Sequence, residues 1–171
     1  MNLKTNHLLI RPFDERDADA LHDYVSNPSV MTYLPEDVFD FEATRVFIAD
    51  QAEKAEKYAV TLQEELIGHI AFHPYFGEHT YEIGWVFHPD HHGKGYASEA
   101  ASRVLEYGFE TLGLHRIIAT CQPENIASWR VMEKIGMRRE GHFKKCIPAG
   151  DDWWDEYYYS ILQEEWKRPQ A

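Results

Sequence analysis

Residues 85–97, Trp85-Val86-Phe87-His88-Pro89-Asp90-His91-His92-Gly93-Lys94-Gly95-Tyr96-Ala97, carry the chain from a strand through a glycine-containing turn into a long helix. Trp85, Val86 and Phe87 favour extended backbone, and Pro89 with the two glycines breaks that pattern. From Gly95 onward the apolar period becomes helical: Ala97, Ala101, Val104, Leu105, Gly108 and Leu112 share one face, and Gly113 stands where such a helix stops. The first amides of a helix have no intrahelical acceptor, and the macrodipole adds positive potential there. Glycines just before that end let a pyrophosphate approach the backbone. The same glycines also serve an ordinary strand-to-helix turn, so the segment alone does not choose between the two. Two other phosphate loops are excluded. A Walker-type loop ending at Gly93-Lys94 needs glycine at position 88 and Ser or Thr at 95, where His88 and Gly95 stand. A Rossmann fingerprint starting at Gly93 needs glycine at 98, which is Ser98.

Outward from this segment the chain alternates short strands with helices. Residues 7–11 form a strand stopped by Pro12, and Asp14 caps a helix with Ala18, Leu21 and Val25 on one face, closed by Asn27-Pro28. A second helix covers 41–56. Residues 58–62 and 66–72 read as a hairpin around Gln63-Glu64-Glu65, and 81–87 as the strand that feeds the loop. After the long helix, 115–121 is a strand ended by Pro123, Asn125 opens a helix closed by Gly136, and 138–146 and 154–161 are strands. Helices interrupting a mostly antiparallel set of strands predict an α+β fold, with a central mixed sheet of about six or seven strands flanked by about four helices. With no repeat, low-complexity stretch or Gly/Ser linker, the expectation is one domain over residues 1–171.

The composition, 44% hydrophobic with 27% charged residues, excludes disorder. Twenty-nine acidic residues against 17 basic ones give a net charge of -12. That field excludes nucleic acid as a partner and attracts a cationic one, whether an amine, a polyamine or a basic tail. No apolar run reaches membrane-spanning length, and the N-terminus becomes charged too soon for a signal-peptide core. Cys121 and Cys146 lie far apart in apolar strand-like segments and read as buried free thiols of a reducing, cytoplasmic compartment.

The run HGKGYASEA, residues 92–100, resembles the acetyl-CoA pyrophosphate loop of the GNAT superfamily, Gln/Arg-x-x-Gly-x-Gly/Ala. Gly95 and Ala97 take its small-residue positions, and His92 stands where Gln or Arg is usual. NIASWRVMEKIGMRREG, residues 125–141, resembles the superfamily's next block, one long helix and one strand later. Residues 8–35, the strand EIGWVFHP at 82–89 and YYYSILQEEW at 157–166 resemble the ribosomal-protein-alanine N-acetyltransferase branch. The likeness spans nearly the whole chain. It implies the GNAT fold and transfer of an acetyl group from acetyl-CoA to a primary amine by direct attack in a ternary complex. A protein or peptide N-terminal α-amine is the first acceptor class. A polyamine or aminoglycoside acetyltransferase, or a non-catalytic acyl-CoA-binding module, are the alternatives.

On that resemblance the pyrophosphate lies over His92, Gly93, Lys94, Gly95, Tyr96, Ala97 and Ser98, with the pantetheine arm and thioester along the backbone of Trp85, Val86 and Phe87. Asn125 and Ser128 are further cofactor contacts. Glu82 is the candidate general base, directly or through water; a surface carboxylate on the polar side of an alternating strand is the other reading. Ser128 is the candidate for reprotonating the thiol, because Met132 replaces the tyrosine that many relatives use as acid. A mid-helix serine can equally bond its own backbone, and Asn125 is a good N-cap in any case. Cys121, inside an apolar strand, is not expected to carry the acyl group. His88, His91 and His92 crowd one loop without a Cys or Glu partner, so no metal is expected. His69 and His73 are expected to line a pocket or face solvent, and Trp153, Trp154, Tyr157, Tyr158 and Tyr159 to form core and acceptor-pocket wall, or an interaction surface. The loops 33–41 and 74–79 carry no motif that names the acceptor, and the assembly is a monomer or homodimer.

Overall fold

A computed structural model describes residues 1–166. In chain order the elements are β1 (Leu3–Lys4), β2 (Leu8–Arg11), α1 (Ala18–Val25), α2 (Pro28–Met31), α3 (Phe41–Lys54), β3 (Lys57–Leu62), β4 (Glu65–Pro74), β5 (Thr80–Phe87), α4 (Tyr96–Glu106), β6 (Arg116–Cys121), α5 (Ile126–Lys134), β7 (Arg138–Ala149) and β8 (Asp152–Leu162). The strands form one eight-stranded mixed sheet in the order β1-β2-β3-β4-β5-β6-β8-β7. The α+β expectation holds. The sheet has eight strands rather than six or seven, and five α-helices accompany it rather than four. The additions are β1, two residues long and paired with β2, and α2, a single turn opened by Asn27 with Pro28 in its first turn. Asn27-Pro28, read as a stop, is also a start.

Two compact units divide the chain: Met1–His73 with Trp85–Val104, and Pro74–Gly84 with the described chain from Leu105. The first begins with a reciprocal cap. The Asp14 carboxylate accepts from the Arg16 amide, and Asp17 accepts from the Asp14 amide at 2.8 Å, which turns the chain into α1. Asp17 is buried and takes both Arg11 guanidinium nitrogens at 2.7 Å, so its charge is matched where water is excluded. The β3–β4 hairpin turns on Gln63 and Glu64, both with positive φ, 50° and 74°, as a two-residue turn matched to strand twist requires. The core of this unit gathers Phe13, Leu21, Tyr24, Val25, Met31, Ile48, Ala59 and Leu66.

His69 stands against that core, 6% exposed, and does not face solvent. It shares a 2.8 Å hydrogen bond through Nδ1 with the Tyr24 hydroxyl and lies 6.0 and 5.7 Å from the Phe13 and Phe47 rings. Burial first, and the Lys57 charge second, push its pKa down to about 3 from an ordinary 6.5. The unfolded chain therefore binds the extra proton between those values, and stability falls as pH drops from about 6.5 toward 3, by about 1.4 kcal/mol per pH unit. Thermal melts across this window are expected to show a shallower acid slope for His69→Gln than for the parent. Equal slopes would show that His69 is not the titrating group.

In the second unit β5 and β6 pair in parallel, Thr80 opposite Arg116 and Glu82 opposite Ile118, and β6–β8 and β8–β7 are antiparallel. The β7–β8 hairpin runs further than its sequence pattern indicates, to Ala149 and Asp152. β7 is the last strand of the sheet and most of its residues are exposed. Cys146 is consequently exposed, correcting the expectation of a buried thiol, whereas Cys121 is buried as expected. α4 ends at Glu106 and continues as a π-helical turn, Tyr107–Thr111, before Gly113 at φ 65°.

Candidate active site

The start of α4 is built by glycine. Gly93 and Gly95 have φ of 72° and 86°, a region that L side chains enter only with strain. A Cβ on Gly93 would meet no atom within 4 Å, so the requirement there is conformational and not steric. α3 and α5 are closed by side chains: Asp40 Oδ1 accepts from the Ala43 amide at 2.7 Å, and Asn125 Oδ1 from the Ser128 amide at 3.3 Å. α4 is preceded by Gly95, which has no side chain to accept, and its first bond runs from the Glu99 amide to the Gly95 carbonyl at 3.0 Å. The amides of Tyr96, Ala97 and Ser98 thus come before the first amide that donates along the helix, at the positive end of the dipole.

The loop is tied to the strand before it. His92 Nε2 hydrogen-bonds the Phe87 carbonyl at 2.9 Å, so this imidazole anchors the turn to the end of β5. His88 pairs with Asp23 at 3.0 Å. Among the described residues no three His, Cys, Asp or Glu side chains are grouped to hold a metal ion.

Trp85 and Val86 are half-buried and Phe87 is buried. A Cβ on Gly68 of β4 would stand 2.5 Å from the Val86 carbonyl oxygen and 2.7 Å from the Phe87 ring. Gly68 therefore lets the two backbones close at the segment expected to carry the pantetheine arm. Glycine inside an otherwise apolar strand is the sequence signal for such an approach, and Gly68 is a functional position beyond those the family motifs mark.

In the second unit Glu82 is half-buried on β5, and the Thr120 hydroxyl donates to its Oε1 at 3.4 Å. Asn125 and Ser128 are together at the start of α5, and the Ser128 hydroxyl hydrogen-bonds the Cys121 thiol. Burial nevertheless pushes that thiol up to about 11, so Cys121 stays protonated at neutral pH and is a poor nucleophile. Met132 is 1% exposed, a core side chain at the place where a tyrosine acid is usual.

Residues 7–138 match the acetyltransferase (GNAT) domain family. The chain belongs to the GNAT family. This GNAT acetyltransferase is 61% identical to YnaD, an uncharacterized N-acetyltransferase of Bacillus subtilis, over 97% of this chain and 99% of the relative. The crystal structure of a GNAT-family acetyltransferase from Bacillus anthracis superimposes with a TM-score of 0.93 at 61% identity, covering 96% of this chain and all of that one. Spermidine N(1)-acetyltransferase of Vibrio cholerae is 28% identical over 94% of this chain and 96% of its own. The chain is thus an N-acetyltransferase of a family that uses acetyl-CoA, with the fold the resemblance implied. No described helix is long and apolar enough to cross a membrane.

Proposed function

We propose that this chain, acting as one catalytic domain, moves an acetyl group from acetyl-CoA to a primary amine by direct attack in a ternary complex, with a peptide or protein N-terminal α-amine as the first acceptor class. The observation that carries the cofactor reading is the glycine-capped start of α4, whose amides are left for an anion just beyond β5. The residues fit the group: Gly93 to Ser98 take the pyrophosphate, and the backbone of Trp85 to Phe87 takes the pantetheine arm. Acetyl-CoA supplies an acyl carbon activated by a thiolate leaving group.

Glu82 accepts the amine proton as the nitrogen–carbon bond forms. The carbon–sulfur bond then breaks, and Ser128 or water returns a proton to sulfur. An α-amine, with a pKa near 8, is partly neutral at physiological pH and needs little base, whereas a lysine amine near 10.4 needs far more. The likeness of residues 8–35, 82–89 and 157–166 to the ribosomal-protein-alanine branch supports the α-amine class.

A polyamine acceptor is the second reading, supported by the spermidine-acetylating relative and by the net charge of -12. Release of free thiol from acetyl-CoA, measured with N-terminal peptides, polyamines and aminoglycosides, separates these readings. Faster turnover of peptides supports the first and faster turnover of polyamines the second. Absence of turnover with every amine would leave an acyl-CoA-binding module.

A further inference from the structure

One face of the second unit carries an aromatic cluster that the chemistry above does not use. Directly paired residues of neighbouring strands point to the same side of a sheet. Thr120 is paired with Tyr158, and its hydroxyl reaches Glu82, so Glu82, Thr120 and Tyr158 share one face. Tyr159 points to the other, where its hydroxyl donates to Glu133 of α5 at 3.1 Å. The Tyr158 ring lies between two others: Tyr75 at 6.5 Å and Phe143 at 6.1 Å, the latter perpendicular to it. Phe143 is paired with Glu156, which brings that carboxylate to the same face two residues before Tyr158. Opposite Tyr158 stands Gly141, where an added Cβ would come within 3.3 Å of the Phe143 ring. The missing side chain makes the room into which Phe143 folds.

Tyr75 and Phe143 are 51% and 50% exposed, so the rings remain open to a ligand. The Tyr158 hydroxyl is held by Arg116, whose charge is in turn paired with Glu140. Glu156, paired with Phe143, adds a carboxylate on the side of the rings. Aromatic faces beside a carboxylate attract a cation.

We infer that this cluster is a subsite for a second positive charge on the acceptor. Neighbouring strands are about 4.8 Å apart and β8 lies two strands from β5; Ser160 stands across from Glu82 through Ile118 and Tyr158 two residues further along, so the Tyr158 position is about 12 Å from Glu82. The reacting nitrogen sits at Glu82, and an ammonium about that far along the acceptor rests on Tyr158 with Glu156 as its counter-charge. This rests on the amine-acceptor reading and narrows it. The second charge comes either from a polyamine or from a basic side chain near a peptide N-terminus.

The test uses two independent readouts. Calorimetry measures binding of α,ω-diamines and of n-alkylamines of equal length to the full chain, and free-thiol release measures their turnover. Diamines matching the span are expected to bind about tenfold more tightly than the monoamines. That ratio is expected to collapse toward one in Tyr158→Leu and in Glu156→Gln, and to shrink in Phe143→Leu, whose exposed position makes it the safer variant for folding. Peptides bearing Lys or norleucine at the second residue distinguish the sources. A lysine preference lost in the same variants assigns the charge to a peptide, and a diamine preference alone assigns it to a polyamine. A diamine-to-monoamine ratio near one in the parent, or one unchanged in all three folded variants, overturns the subsite. Diamine binding that depends on Tyr158 without turnover of any amine would keep the subsite and remove the acetyl-transfer reading.

Discussion

Glu82→Gln is expected to lower kcat by about 10²- to 10⁴-fold with little change in acetyl-CoA affinity, the range that a positioned general base contributes. The carboxylate stands opposite Ile118 in the parallel pair with β6, three residues before the Trp85–Phe87 segment, and the Thr120 hydroxyl donates to it. Glutamine keeps its size and its ability to accept from Thr120 but cannot take the proton. The loss is expected to be larger for a lysine-type amine than for an α-amine, because the α-amine is already partly neutral near pH 7.5. The acidic limb of the pH–rate profile should change with it, since that limb reports groups that must be deprotonated. Full activity of Glu82→Gln from about pH 6 to about pH 9, with every acceptor, would remove the assignment. The enzyme would then work by positioning a neutral amine. Ser128→Ala is expected to lose less, because water can reprotonate a thiolate whose conjugate acid has a pKa near 8.5.

Ala97→Glu is expected to weaken acetyl-CoA binding by about 30-fold or more while leaving the fold intact. A carboxylate in the first turn of α4 favours the helix by a few tenths of a kcal/mol through the dipole. The same charge faces the proposed pyrophosphate, and two like charges about 4 Å apart in partly screened surroundings repel by about 2–4 kcal/mol. Calorimetry gives the affinity and a thermal melt gives the control. A folded Ala97→Glu protein with parental affinity would take the pyrophosphate away from this turn. Bulky residues at Gly95 are the less clean probe, because φ of 86° there would strain the backbone whether or not a ligand binds.

The two expectations differ in how legible they were. The turn at 93–95 was readable because glycine is the residue that takes a positive φ freely, and both glycines do so. Asn125 and Gly136 marked α5 for the same local reasons, with the Asn125 carbonyl on the Ser128 amide and Gly136 at φ 90°. The end of α4 was not readable. Its apolar period continues past Glu106, so the change to a π turn at 107–111 leaves no mark in the pattern. The burial of His69 was not readable, because alternation along β4 names two faces without saying that Tyr24, Phe13 and Phe47 cover one of them. Cys146 was misplaced because an apolar neighbourhood in sequence does not reveal that its strand is the last of the sheet.

By itself the sequence determined what depends on neighbours along the chain: the glycine turn, the helix caps, the strand periods, the acidic charge and the two blocks that resemble the GNAT family. These follow from backbone sterics and local hydrogen bonding, which a few adjacent residues settle. The tertiary structure alone decided what depends on residues far apart. It set the strand order with its parallel β5–β6 pair, the closure of Gly68 on Val86 and Phe87, the burial of His69 and Met132, and the register that puts Tyr158 on the face of Glu82. Such contacts arise when distant segments exclude water together, and no local period records which segment meets which.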